Sequence, residues 1–217
     1  MSPALLRLVW LGSALFGVLY GVAYLARPVT AVRTLVKTLG VALLAVAAYF
    51  AGAPPLLSLG LALSAMGDAF LAGDPKRWLP AGMIAFLVAH LAYINFFAEI
   101  GGPPQYLAEP WRIVPGLAVA GGGVYLIRWL WPHIGPLRYA VAIYASAIVL
   151  MVLAALTLDL SYWPAILGAA AFMGSDAILS VRLFKNPDQW GSLGDNAVWW
   201  LYYGGQALIA YAFLRPF

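Results

Sequence analysis

The sequence predicts an all-α, polytopic transmembrane bundle of eight helices, and three observations carry that prediction. First, 64% of the 217 residues are hydrophobic and only 9% are charged, with a mean hydropathy of +0.89; a soluble domain carries about 25% charged residues. Second, the apolar residues gather in runs near the ~20 residues that one helix needs to cross a bilayer core. Third, Gly and Pro punctuate these runs, and no connector is long enough to hold a soluble domain. A single integral-membrane domain over 1–217 is expected.

The spans are expected at roughly 5–25, 31–50, 55–72, 80–99, 111–130, 136–157, 164–184 and 194–215. The first is too long for the apolar region of a signal peptide, and no clear small-x-small cleavage site precedes the next span. Arg27-Pro28, Gly52-Ala53-Pro54-Pro55 and Gly73-Asp74-Pro75 break the early runs. Gly101-Gly102-Pro103-Pro104, Trp131-Pro132, Trp163-Pro164 and Asn186-Pro187 break the later ones. Close helix approach is expected at Gly12, Gly17 and Gly21, at Gly121-Gly122-Gly123 and at Gly204-Gly205, because small residues let backbones meet. Trp78, Trp111, Trp131, Trp163 and Trp190 fall near span ends, where an interfacial belt would hold them.

Lysines and arginines set the expected orientation. Arg27, Arg33, Lys76, Arg77, Arg128, Arg138, Arg182 and Lys185 lie in or beside the odd-numbered connectors, against Arg7, Arg112 and Arg215 elsewhere. This asymmetry predicts odd connectors in the cytoplasm and both termini outside. No single-sign charge run occurs, so the net charge of +4 says nothing of nucleic acid. With no cysteine, disulfides, thiolate metal sites and a cysteine nucleophile are excluded. Two histidines far apart in sequence make a zinc site improbable, and no cofactor is expected.

One tetrapeptide pattern occurs twice inside the apolar runs, as Asp68-Ala69-Phe70-Leu71 and Asp176-Ala177-Ile178-Leu179, the first directly after a Met-Gly step and the second after Met-Gly-Ser. An aspartate at a helix centre in lipid costs roughly 2.5–3.5 kcal/mol, so such residues are functional candidates by default. The two are 176 − 68 = 108 residues apart, half the chain, and Leu59-Gly60 precedes one as Leu167-Gly168 precedes the other. Two parallel four-helix repeats, 1–108 and 109–217, are the expected origin of this register.

Asp68 would lie about 6 Å and Asp176 about 12 Å from the inner span ends at ~1.5 Å per residue. Lys37 and His90 fall in the same half of the membrane, so the site is expected towards the cytoplasm. Lys37 could also snorkel to headgroups, and His90 could be a carbonyl-bonded structural histidine. Tyr202, Tyr203 and Gln206 could equally be hydrogen-bonding glue between helices. Asp74, Glu109, Asp188 and Asp195 read as solvated connector residues.

An ordered set of residues resembles the YhhN-like family of lysoplasmalogenases across nearly the whole chain. It comprises Lys37; Gly67-Asp68 with Phe70-Leu71; Phe86 with Ala89-His90-Leu91 and Tyr93-Ile94; Tyr144 with Met151; Gly174-Ser175-Asp176 with Leu179-Ser180; and Tyr202-Tyr203 with Gln206. The resemblance implies an integral enzyme of the bacterial plasma (inner) membrane that cuts the vinyl ether of lysoplasmalogens. Its products would be a fatty aldehyde and glycerophosphoethanolamine or glycerophosphocholine. The family's two essential aspartates map onto Asp68 and Asp176, with Lys37, His90, Tyr93, Tyr202 and Gln206 as expected substrate-binding residues. The partners implied are a lysophospholipid substrate and membrane lipids, with no nucleic acid.

Vinyl ethers hydrolyse by protonation of the β-carbon to an oxocarbenium ion, which water then traps. The reaction needs one acid that keeps its proton and an anion beside the cation, and two carboxyl groups close together in a low-dielectric site divide in that way. Asp176 is the expected acid and Asp68 the expected base, although the roles could be reversed. A proton-coupled carrier also uses intramembrane acids in repeated helices, and a scaffold could use them only to hold helices together.

Overall fold

The computed structural model describes residues 2–73, 75–103 and 109–215, without the side chains of 75 and 76. Expectations placed on Asp74, the Lys76 side chain and Pro104 fall outside them. The described residues form helices and turns, with no strand among them. In chain order the α-helices are α1 (Pro3–Leu19), α2 (Ala31–Phe50), α3 (Pro55–Leu71), α4 (Pro75–Ile100), α5 (Pro110–Ile134), α6 (Arg138–Ala155), α7 (Trp163–Phe184) and α8 (Gly191–Leu214). A π-helical turn, Tyr20–Tyr24, extends α1.

Local chemistry explains the helix ends. The Ser2 and Thr30 hydroxyls accept from the Leu5 and Arg33 amides at the starts of α1 and α2, as N-cap side chains do. Proline opens α1, α3, α5 and α7, where its missing N–H costs no intrahelical bond. The expected break at Trp131-Pro132 falls instead at Gly135: α5 runs through Pro132, and the chain turns where Gly135 takes φ 66° and ψ −135°. That backbone is open to glycine alone at little cost.

Among the described residues five stretches are long and apolar enough to cross a membrane: Pro3–Tyr24, Ala31–Phe50, Arg77–Ile100, Pro110–Ala155 and Leu160–Phe184. The fourth joins α5 and α6 through the short 3₁₀ turn Gly135–Leu137. α3 is apolar but shorter. The outside of the bundle is greasy, with Leu8, Leu15 and Val22 in one stripe along α1 and its π-helical extension and Val114, Leu117 and Tyr125 on α5 all strongly exposed. Exposed apolar stripes of this size would aggregate in water and suit lipid. The chain is a helical membrane protein.

The packing has a definite order among the described residues. α3 packs on α2, α2 on α8, α8 on α7, α7 on α6, α6 on α4 and α4 back on α3, which closes a ring. α1 lies outside against α2, and α5 outside against α6 and α7. Replacing each ring helix by the one four places along returns the same ring. Glycines set two of the seams. The Gly60 Cα abuts the Tyr93 ring, and Gly168 and Gly205 bring the backbones of α7 and α8 together. Gly17 and Gly21 pack against Tyr203 and against Trp199 and Trp200. Gly121, Gly122 and Gly204 do not share this role: each faces open space, and of the α5 triplet only Gly123 meets a neighbour, Val149.

Candidate active site

Asp68 occupies the last turn of α3 and is 1% exposed. Its Oδ1 lies 3.1 Å from the Lys37 Nζ on α2. Its Oδ2 accepts the Tyr202 hydroxyl from α8 at 2.7 Å. The Ser64 carbonyl is 3.4 Å from the same hydroxyl, so the single phenolic proton belongs to the carboxylate. Lys37 is 14% exposed at its side chain. It is held against Asp68 and does not snorkel free to the headgroups.

Asp176 projects from α7, and its Oδ2 accepts the Tyr144 hydroxyl from α6 at 2.5 Å. Among the described residues no cation stands within ion-pair distance of it. The aspartates therefore have unlike partners: Asp68 meets an ammonium from α2 and a phenol from α8, whereas Asp176 meets a phenol from α6. No direct hydrogen bond joins the two carboxyl groups.

Both carboxyl groups line one cavity of about 270 Å³, together with Arg33, Lys37, Tyr144, Arg182, Asp195 and Tyr202. A second, smaller cavity of about 80 Å³ adjoins it; Met83, Leu126, Val141, Ile148 and Met173 make its wall apolar. Leu71, Phe86, Tyr144, Asp176 and Leu179 belong to both linings. The site is therefore a chamber with charged walls beside a hydrocarbon-lined slot, with Asp176 among the residues that border both. Arg33 and Arg182 mark the end of the bundle where α1, α3 and α7 finish and α2 and α8 begin.

Of the expected binding residues, Lys37 and Tyr202 line the chamber. His90, Tyr93 and Gln206 do not line either cavity; they lie behind them. The His90 ring is edge-on to Tyr144 at 5.2 Å and tilted on Phe172 at 4.8 Å. It is fully buried, and neither ring nitrogen makes a well-formed hydrogen bond, although the Phe86 backbone one turn earlier interacts with the ring. Tyr93 donates to the Gln206 Oε1 at 2.6 Å, a buried tie between α4 and α8. Tyr203 shares a 3.0 Å hydrogen bond with Ser13, so this residue does act as interhelical glue.

Tyr144, Arg33, Arg182 and Asp195 also line the chamber and are not among the expected site residues. Tyr144 belongs to the set that carries the family resemblance, but it stands in an apolar run whose spacing gives it no role. Arg33 sits one helical turn before Lys37 on the same face, a spacing that could have flagged it. Arg182 reads as an orientation marker, and Asp195 as connector. Asp195 in fact lies in the first turns of α8, where its Oδ1 accepts from the Arg182 Nη2 at 2.9 Å. Glu109 is likewise paired, with Arg112 at 2.9 Å. Among the described residues no group of three His, Asp or Glu side chains is close enough to hold a metal ion.

The YhhN family matches this chain over residues 32–213. Proteins named lysoplasmalogenase from Mycobacterium bovis and Mycobacterium tuberculosis are each 32% identical to it over 161 residues. That stretch is 70% of this chain and 58% of each relative. No solved structure matches the chain.

Proposed function

This chain belongs to the YhhN family, and we propose that it is a membrane hydrolase that cuts the vinyl ether of lysoplasmalogens. The observation that carries the reading is the junction of a charged chamber with an apolar slot, with a carboxyl group from α3 and another from α7 on its walls. A lysolipid is divided in the same way, into a wet phosphate head and an alkenyl tail. Its vinyl ether lies where the two parts meet.

In this mechanism Asp68 is the carboxylate, because the Lys37 ammonium and the Tyr202 hydroxyl both favour the charged form. Asp176 has a phenol and no cation beside it, and it carries the proton. Asp176 protonates the β-carbon of the alkenyl group, giving an oxocarbenium ion flanked by two carboxylates. Water adds to the α-carbon and its proton passes to Asp68. The hemiacetal then collapses: its hydroxyl proton returns to Asp176, the carbon–oxygen bond to glycerol breaks, and Asp68 protonates the departing oxygen. Both acids end as they began. Tyr144 holds the Asp176 carboxyl group at the junction. The reaction balances as vinyl ether plus water giving aldehyde plus alcohol.

The reading extends to topology. Eight crossings, built from two repeats of four helices, agree with a ring that maps onto itself four helices along. The basic residues around the α1, α3 and α7 ends favour a chamber that opens towards the cytoplasm. The test is aldehyde release from lysoplasmalogen by the purified protein. Asp68→Asn and Asp176→Asn should each lower kcat by about 10²–10⁴, as expected for losing a general acid or base. Activity above one tenth of wild type in both variants would falsify the two-carboxyl mechanism.

A further inference from the structure

The chamber holds more charge than the chemistry at the two carboxyl groups uses. Lys37 is matched by Asp68, and Arg182 by Asp195. Arg33 has no acidic partner within ion-pair distance among the described residues. Its guanidinium bonds to the carbonyls of Tyr24, Leu25 and Ala72 and lies 5.4 Å from the centroid of the Tyr20 ring; these partners carry no net charge and do not cancel its own. It lines the chamber and is only partly buried. A cation left unmatched beside a membrane cavity is costly and calls for an anion.

We infer that the chamber is a headgroup site for a zwitterionic phosphate ester, in which Arg33 takes the phosphate and Asp195, steadied by Arg182, takes the ammonium. Arginine suits this task because its planar fork matches phosphate oxygens and stays charged. Lys37 is the poorer phosphate ligand, since drawing it away would strand Asp68 in the protein interior. Asp195 Oδ1 is occupied by Arg182, which leaves Oδ2 for an amine, and its side chain is 54% exposed. The Asp195–Arg182 pair belongs to the start of α8 and the end of α7, while Arg33 belongs to the start of α2. The head would therefore bridge both halves of the ring. This assignment rests on the proposed lysolipid reading, and it specifies which residues choose the headgroup.

Two measurements on the full-length protein in detergent test it. In the first, aldehyde release is monitored from 1-alkenylglycerol, which lacks phosphate, and from its phosphoethanolamine and phosphocholine derivatives. Arg33→Gln should raise KM for both phosphate substrates about tenfold or more, the usual loss for a hydrogen bond to a charged group. It should leave the rate on 1-alkenylglycerol within about twofold. Asp195→Asn should change the ethanolamine-to-choline preference about fivefold without removing the phosphate requirement. Equal losses on all three substrates, or an unchanged KM, would overturn the assignment.

The second measurement is direct binding of lysophosphatidylethanolamine, an ester without a vinyl ether, against monoacylglycerol, with inorganic phosphate as competitor. Wild type should bind the phosphate lipid about tenfold tighter, and free phosphate should compete only weakly because it lacks amine and tail. Equal binding of the two lipids overturns the site, whether or not Arg33→Gln folds. Phosphate competing as well as the lipid shows an anion site alone and overturns the ammonium half. If wild type releases no aldehyde from any substrate, the hydrolase reading fails, while this binding comparison still decides the headgroup site.

Discussion

The Lys37–Asp68 pair sets up a double-mutant cycle whose outcome depends on unequal burial. At 3.1 Å and an effective dielectric near 20, the gross attraction is about 5 kcal/mol. Desolvation of both groups offsets much of this, yet removing one partner of a buried pair costs about 3–5 kcal/mol because the other is left bare. The two single variants should not be equal. Lys37→Met abandons a carboxylate that is 1% exposed, and the full cost of about 3–5 kcal/mol applies. Asp68→Asn abandons an ammonium at 14% exposure on a long stem that can reach headgroups, so about 1–2 kcal/mol is expected. The double variant, Lys37→Met with Asp68→Asn, restores a neutral pair and should be more stable than the sum by about 2–3 kcal/mol. For a chain of this size about 2–4 °C of Tm accompanies each kcal/mol, so Lys37→Met should lose about 10 °C in detergent melts read by tryptophan fluorescence. Additivity within about 0.5 kcal/mol, or Asp68→Asn proving the worse single change, would refute the reasoning.

Two other outcomes bear on the site and the frame. Tyr144→Phe removes the 2.5 Å bond to Asp176 and should lower kcat about 10–100-fold with KM nearly unchanged; a wild-type kcat would remove Tyr144 from the machinery. Gly168→Val would drive a side chain into the Gly205 carbonyl on α8 and should abolish monodisperse folded protein on size exclusion, whereas Gly121→Ala, which meets open space, should elute and melt like wild type.

How legible each residue is in the sequence depends on how conspicuous it is against a hydrocarbon background. Asp68, Asp176 and Lys37 stand out because lipid penalises a charge wherever it occurs, and the structure gathers all three at one chamber. Tyr144 does not stand out: a tyrosine in an apolar run is equally at home in a core, against lipid or on a carboxylate, and only the fold of α6 against α7 distinguishes these. Arg33 and Arg182 are hidden for the opposite reason, since arginine near a span end is the ordinary anchor to the interface. His90 and Tyr93 follow Phe86, and Gln206 follows Tyr202, on the same helix faces, but each turn adds about 6 Å of depth, enough to carry them past the chamber into the packed seam behind it. The α5 end illustrates the same limit for backbone. Pro132 is accommodated within the helix near its terminus, while the positive-φ conformation that stops α5 needs Gly135, three residues on.

The abutting cavities also bear on the fate of the products. On the proposed chemistry the two fragments have opposite solvent preferences, and each is made against walls of its own kind. The aldehyde would then partition into the bilayer and the phosphodiester into water. Re-encounter then becomes rare, and turnover would be drawn forward by partition between phases as well as by the free energy of hydrolysis.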